Sequence, residues 1–278
     1  MITKILVPVD FSKNSHNTAR YALYLGRHLN AEITLFHAVT VPVVVGDYPS
    51  AVPVEIDTKP SEEELEKLAA ELRDSLSHDG DSSVKIDTKV SVGFTVDAII
   101  EASKELDSDL IVMGTTGASG LEKYFIGTNA VSVIDRSEVP VYLIPENSRI
   151  EPIKRMVYAT NFDPEDDIMM DTLLQFAKLF EAKIHCIHVT EEFSAEDKAN
   201  LDELEEASWH KEVGVDVVFG IIEGDDPNEA LDGYINKNEI DLLVMLTHEK
   251  TLIQKIFGSS VSKEMAYHSQ IPLLVFKE

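Results

Sequence analysis

Gly114 to Asn129 read GTTGASGLEKYFIGTN and follow the apolar run Leu110-Ile111-Val112-Met113. A short apolar run of this kind, partly β-branched, reads as a buried parallel strand. Gly114 closes it, Gly117 comes after two further residues, and Gly127-Thr128 after nine more. An apolar pattern at helical spacing then resumes with Ala130, Val131, Val133 and Ile134. The stretch is a strand, a glycine-punctuated loop and a helix start. Glycines at 114 and 117 let the main chain approach a ligand closely, and Gly127-Thr128 place amide N–H groups and a hydroxyl at a helix N-terminus. The expected ligand is an anion.

Outward from that stretch, the chain alternates strands and helices. Lys4 to Asp10 reads as a first strand, and Phe11-Ser12 introduce a helix with Ala19, Ala22, Leu23, Gly26 and Leu29 on one face and Asn30 as its stop. Glu32 to Val39 is a second strand, and the passage from Val41 to Val54, rich in proline and valine, is a loop or insertion. Ser61-Glu62-Glu63-Glu64 has the form of a capping box, followed by Leu65, Leu68, Leu72 and Leu76 at helical spacing. Lys85 to Val92 is a third strand, Thr95 an N-cap, Val96 to Leu106 a helix, Asp109 to Met113 the fourth strand and Pro140 to Glu146 the fifth. Such alternation predicts an α/β fold, a parallel sheet covered by helices on both faces.

The pattern then repeats. Arg155 to Asp163 echoes Lys4 to Ser12, Ile184 to Val189 echoes Thr34 to Val39, Ile240 to Met245 matches Ser108 to Met113, and Ile271 to Phe276 matches Val139 to Ile144. Two tandem domains are expected, 1–147 and 153–278, divided where Ser, Arg and Pro interrupt the hydrophobic pattern. In the second copy one amphipathic segment, Ser194 to His210, capped by Ser194-Ala195-Glu196-Asp197, stands in place of a loop plus helix. The terminal strands of the two copies, Pro140 to Glu146 and Ile271 to Lys277, have apolar edges that need cover and are expected to join the domains as a pseudo-dimer.

The chain of 278 residues carries 24 basic and 50 acidic residues, a net charge of −26. That charge repels polyanions and speaks against nucleic-acid binding. No apolar window is long enough to span a bilayer, so no membrane partner is expected. A single cysteine, Cys186, excludes an intramolecular disulfide and suits a reducing cytoplasm.

The spacing G-x2-G-x9-G-[S/T] after a strand, filled by Gly114, Gly117, Gly127 and Thr128, resembles the ATP-binding signature of the universal stress protein family, and the duplicated architecture resembles its two-domain members. The resemblance implies five parallel strands per domain in the order 3-2-1-4-5, with strands one and four side by side at the point where ligands bind. It implies that Asp10 serves the nucleotide, its carboxylate suited to sugar hydroxyls or a bridging Mg²⁺, that Ala38 presents main-chain groups to the adenine, and that Pro8 and Val9 line the base pocket. The cofactor-binding set on this basis is Pro8, Val9, Asp10, Ala38, Met113, Gly114, Thr116, Gly117, Gly127, Thr128 and Asn129. In the second copy the signature is broken: Leu246 and Glu249 stand in place of Gly114 and Gly117, and Asn161 in place of Asp10. That copy is not expected to hold ATP in the same manner.

Other chemistry is weakly signalled. On a strand Cys186 and His188 share one face and His185 the other, leaving two convergent ligands where structural zinc takes four. His37 occupies the matching position in the first copy, which points to a structural role. P-loop, nucleophile-elbow and metalloprotease patterns are missing, and Lys123 is the sole basic residue of the glycine loop. The expectation is a cytoplasmic ATP-binding signalling module, with homodimers allowed. The alternatives are a slow Mg²⁺-dependent ATPase using Asp10 and, more remotely, a receiver-like phosphorylation domain, which lacks the paired acids that such a site needs.

Overall fold

The computed structural model describes residues 2–40, 56–78, 84–115, 127–146, 148–160, 166–206, 213–247 and 271–277. The first half runs β1 (Lys4–Pro8), α1 (Lys13–Leu29), β2 (Glu32–Val39), α2 (Lys59–His78), β3 (Ile86–Val92), α3 (Thr95–Glu105), β4 (Leu110–Gly114), α4 (Thr128–Arg136) and β5 (Val141–Ile144). The second runs β6 (Arg155–Thr160), α5 (Asp166–Leu179), β7 (Lys183–Thr190), α6 (Ala195–Glu206), β8 (Val217–Glu223), α7 (Pro227–Asn238), β9 (Leu242–Thr247) and β10 (Leu273–Lys277).

All ten strands form one sheet in the order β3-β2-β1-β4-β5-β10-β9-β6-β7-β8. Each half has the expected order 3-2-1-4-5 and is parallel throughout. The halves meet where β5 and β10 pair antiparallel, Leu143 opposite Leu273 and Tyr142 opposite Leu274. Strand alternation sorts the core onto two faces. Ile5, Val7, Leu110, Val112, Tyr142 and Ile144 point toward α1 and α2, and that layer continues into Tyr158, Val244 and Leu274 under α5. Leu6, Ile111, Met113 and Leu143 point toward α3 and α4 and continue into Val157, Leu243 and Leu273 under α7. Both hydrophobic layers therefore run through the domain junction. Helices on both faces are what right-handed crossovers between parallel strands produce.

Local signals explain several helix ends, with two departures from the sequence reading. Ser12 caps α1 by accepting the Ser15 N–H, and Asn30 ends it in the left-handed region at φ 53°. α2 begins at Lys59, ahead of Ser61: Asp57 accepts the Lys59 N–H at 3.1 Å and Thr58 donates its hydroxyl to Glu62 at 2.7 Å. Pro60 is tolerated there because the first turn has no intrahelical use for its missing N–H. α3 begins at Thr95 with Phe94 in the cap position and no side-chain cap. Ser194 and Asp197 do form their reciprocal box, but α6 buries no residue. Its half-covered residues, Asp197, Asn200, Leu201 and Leu204, fall on one face, and Leu204 packs against the core.

Two carboxylates fasten equivalent strand starts. Asp109 accepts the N–H groups of Thr3 and Lys4, at 2.7 and 3.0 Å, and Asp241 accepts those of Lys154 and Arg155, both at 2.8 Å. Across the junction, Tyr24 and His28 of α1 meet Phe180 just beyond α5, the His28 and Phe180 rings stacking at 5.0 Å and 16°. The Tyr24 hydroxyl accepts the N–H of Ile153 in the connecting segment at 3.3 Å.

Candidate functional site

At the carboxyl end of the sheet, β1 and β4 lie side by side, with Ile5 opposite Leu110 and Leu6 opposite Ile111. In an open parallel sheet the crevice at such a switch point is where ligands settle. Beyond β1, Val9 is tied to β2 from both sides of its peptide: its N–H donates to the Phe36 carbonyl at 2.7 Å, and its carbonyl lies 2.7 Å from His37 Nδ1. A carbonyl only accepts, so Nδ1 of His37 carries the proton. Asp10 follows, exposed, with Oδ1 accepting the Ser12 N–H at 3.1 Å.

Beyond β4, Thr115 donates its N–H to Ile144 at 3.0 Å, and its carbonyl accepts the Gly127 N–H at 2.6 Å. A Cβ on Gly127 would stand 3.2 Å from that same carbonyl oxygen, so glycine permits the close approach that delivers the chain into α4. The Gly127 amide, expected to face a ligand, is used internally. The first intrahelical bond of α4 is Val131 N–H to Gly127 at 3.2 Å. The amides of Thr128, Asn129 and Ala130 therefore have no acceptor within the helix. No acidic residue occupies the first turn, so the positive end of the helix is uncompensated there.

These elements enclose a hollow of about 390 Å³, within the size range of small-molecule sites. Of the residues expected from the sequence, Pro8, Val9, Asp10, Ala38, Met113, Gly114, Gly127, Thr128 and Asn129 line it together. Thr116 and Gly117 lie outside the described residues, as does Lys123. Ser15, Phe36, His37, Thr40, Thr95, Ile99, Thr115 and Ala130 also line it, none of them among the expected site residues. Thr95 and Ile99 reach the hollow through the packing of α3 against β2, which no local pattern announces. Thr115 could have been suspected, since it fills the first gap of the glycine spacing. Among the described lining residues Asp10 is the only side chain of the Asp, Glu, Lys and Arg set. An anion there would be received mainly by backbone N–H groups and the helix end.

The second half repeats part of this scaffold. His188 Nδ1 lies 2.9 Å from the Thr160 carbonyl, the counterpart of the His37 bond, and its Nε2 is 3.7 Å from Asp197. His185, on the opposite strand face, bonds Tyr234 Oη through Nδ1 at 2.8 Å. Burial, then the charges of Lys183 and Arg155, push the pKa of His185 down, which keeps the ring neutral. Among the described residues no three His, Cys, Asp or Glu side chains are grouped to hold a metal ion. Leu246, the counterpart of Gly114, sits within β9 opposite Phe276 and packs against the core. Asn161 and Glu249 lie outside the described residues.

Comparison with known proteins follows the duplication. The sequence model of the Universal stress protein family matches residues 1–145 and again 152–277. A universal stress protein of Methanocaldococcus jannaschii is 31% identical over 141 residues, 51% of this chain and 81% of that protein. One from Bacillus subtilis is 28% identical over 148 residues, 52% of this chain and 99% of its own length. The crystal structure of a universal stress protein from Archaeoglobus fulgidus superposes with a TM-score of 0.73 at 22% identity, covering 99% of this chain and 96% of that one, and so shares the two-domain fold. Among the described residues no helix is long and apolar enough to cross a membrane.

Proposed function

The chain belongs to the universal stress protein family in both of its halves, and on that footing we propose that its first domain binds ATP and that occupancy is the state a regulatory partner reads. The observation that carries this is the start of α4: three amides without helical acceptors, set against the switch-point hollow. The polyphosphate lies toward Thr128 and Asn129. Asp10, across the mouth, serves the ribose hydroxyls or a bridging Mg²⁺, and the base sits beside Ala38 between Pro8, Val9 and Met113. The second domain, with Leu246 where Gly114 stands in the first and Asn161 for Asp10, is a structural or regulatory half that holds no ATP in this manner.

Acid release of the purified chain followed by mass spectrometry should recover an adenine nucleotide, and titration should give one ATP per chain. Gly127→Val pushes a branched side chain onto the Thr115 carbonyl and should weaken ATP by at least about tenfold with the circular dichroism spectrum unchanged. No binding at millimolar ATP, or two equivalents per chain, defeats the proposal. Phosphate release that vanishes in Asp10→Ala would assign the slow Mg²⁺-dependent ATPase instead.

A further inference from the structure

Phe11 adopts φ 60°, the left-handed region. That conformation is costly for a bulky side chain and persists only where the surroundings over-determine it. Here they do so from three sides. The peptide before Asp10 is fixed, because Val9 is bonded through both its N–H and its carbonyl to Phe36 and His37. The peptide after Phe11 is fixed, because the Ser12 N–H is held by the Asp10 carboxylate and Ser12 caps α1. Between them the Phe11 ring lies on the imidazole of His37, centroids 4.4 Å apart and planes 33° from parallel.

We infer that Phe11 is a positioning residue for the nucleotide hollow: by clasping His37 it holds the chain in its left-handed turn and so aims the carboxylate of Asp10 at the mouth. This rests on the nucleotide reading of the site and adds to it a residue that does not line the hollow. His37 has two tasks in the clasp, bonding the Val9 carbonyl through Nδ1 and offering its ring face to Phe11. Removing the ring frees the turn to relax toward φ below zero, which swings Asp10 away while leaving the α4 amides where they are. Phe11 therefore acts through Asp10, and its contribution should disappear when the carboxylate is absent.

The test is isothermal titration of ATP with Mg²⁺ into the full chain and four variants: Phe11→Gly, Phe11→Tyr, Asp10→Ala and Asp10→Ala/Phe11→Gly. Glycine tolerates φ 60° without requiring it, so Phe11→Gly removes the clasp and spares the turn from a clash; should it fold poorly, Phe11→Asn, also at home in the left-handed region, replaces it. Phe11→Gly should weaken ATP by about tenfold and Phe11→Tyr by less than about twofold, and the double variant should bind no more weakly than Asp10→Ala alone. A Phe11→Gly chain binding as tightly as wild type, or a loss that adds in full to that of Asp10→Ala, overturns the inference and leaves the nucleotide reading standing. A wild-type chain that takes up no ATP removes both.

Discussion

Asp109 shows how much a single side chain can organise when its acceptors face main-chain donors. One oxygen, Oδ2, accepts the Thr3 N–H, the Thr3 hydroxyl at 2.8 Å and the Lys4 N–H. Burial raises the carboxyl's pKa and is the largest single influence, but the bonds from Thr3 and Lys4 together outweigh it and the net shift is downward from 3.8. A carboxylate whose folded pKa is depressed contributes stability in full above its unfolded value and loses it as the pH falls through the folded one. The gap in urea midpoint between wild type and Asp109→Ala should therefore be constant through neutral pH and narrow below about pH 4. A gap that stays constant down to about pH 2 would show that the charge is immaterial. Asp241 makes the same pair of main-chain bonds in the second half. Neither carboxylate could be picked out beforehand, because an aspartate ahead of a strand is also an ordinary turn residue.

Elements were legible where the signal is local. α1 carries both its ends in the sequence: Ser12 supplies the oxygen that the Ser15 N–H needs, and Asn30 is one of the few residues other than glycine at ease at φ 53°. Asn30→Ala should cost about 1 kcal/mol in chemical denaturation and Asn30→Gly close to nothing, since only the former puts an intolerant Cβ into the left-handed region. Equal losses in the two variants would mean that the amide side chain, not the backbone, sets the cap. Competing local signals close together displace a helix start, as at α2, where Asp57 and Thr58 act ahead of the Ser61 pattern. The site divides along the same line. Gly114 and Gly127 announce themselves by their spacing around one loop, whereas Asp10 is indicated by the family resemblance. Ser15, Thr95 and Ile99 depend on which helices the crossovers bring over the switch point, and the left-handed turn at Phe11 has no compositional mark at all.

At the scale of the molecule, the question is whether two domains that share a sheet also share a fate. Both hydrophobic layers cross from β5 to β10, and on one face the aromatic contact of Tyr24 and His28 with Phe180 closes the seam. Leu143, Tyr142, Leu273 and Leu274 are fully buried, so separating the halves would expose two apolar strand edges at once. Burial on this scale favours one cooperative transition over two. Trp209, the only tryptophan, lies in the second half of the sequence, whereas far-ultraviolet circular dichroism reports helices in both. In wild type the two probes should give coincident denaturation curves. Tyr24→Ala/His28→Ala removes both α1 rings that reach Phe180, together with the hydroxyl that holds Ile153, while the β5–β10 ladder remains. The coupling should weaken by about 1–2 kcal/mol, and the tryptophan curve should then separate from the dichroism curve as one half unfolds ahead of the other. Curves that are already separate in wild type would mean that the shared sheet joins two independently unfolding units.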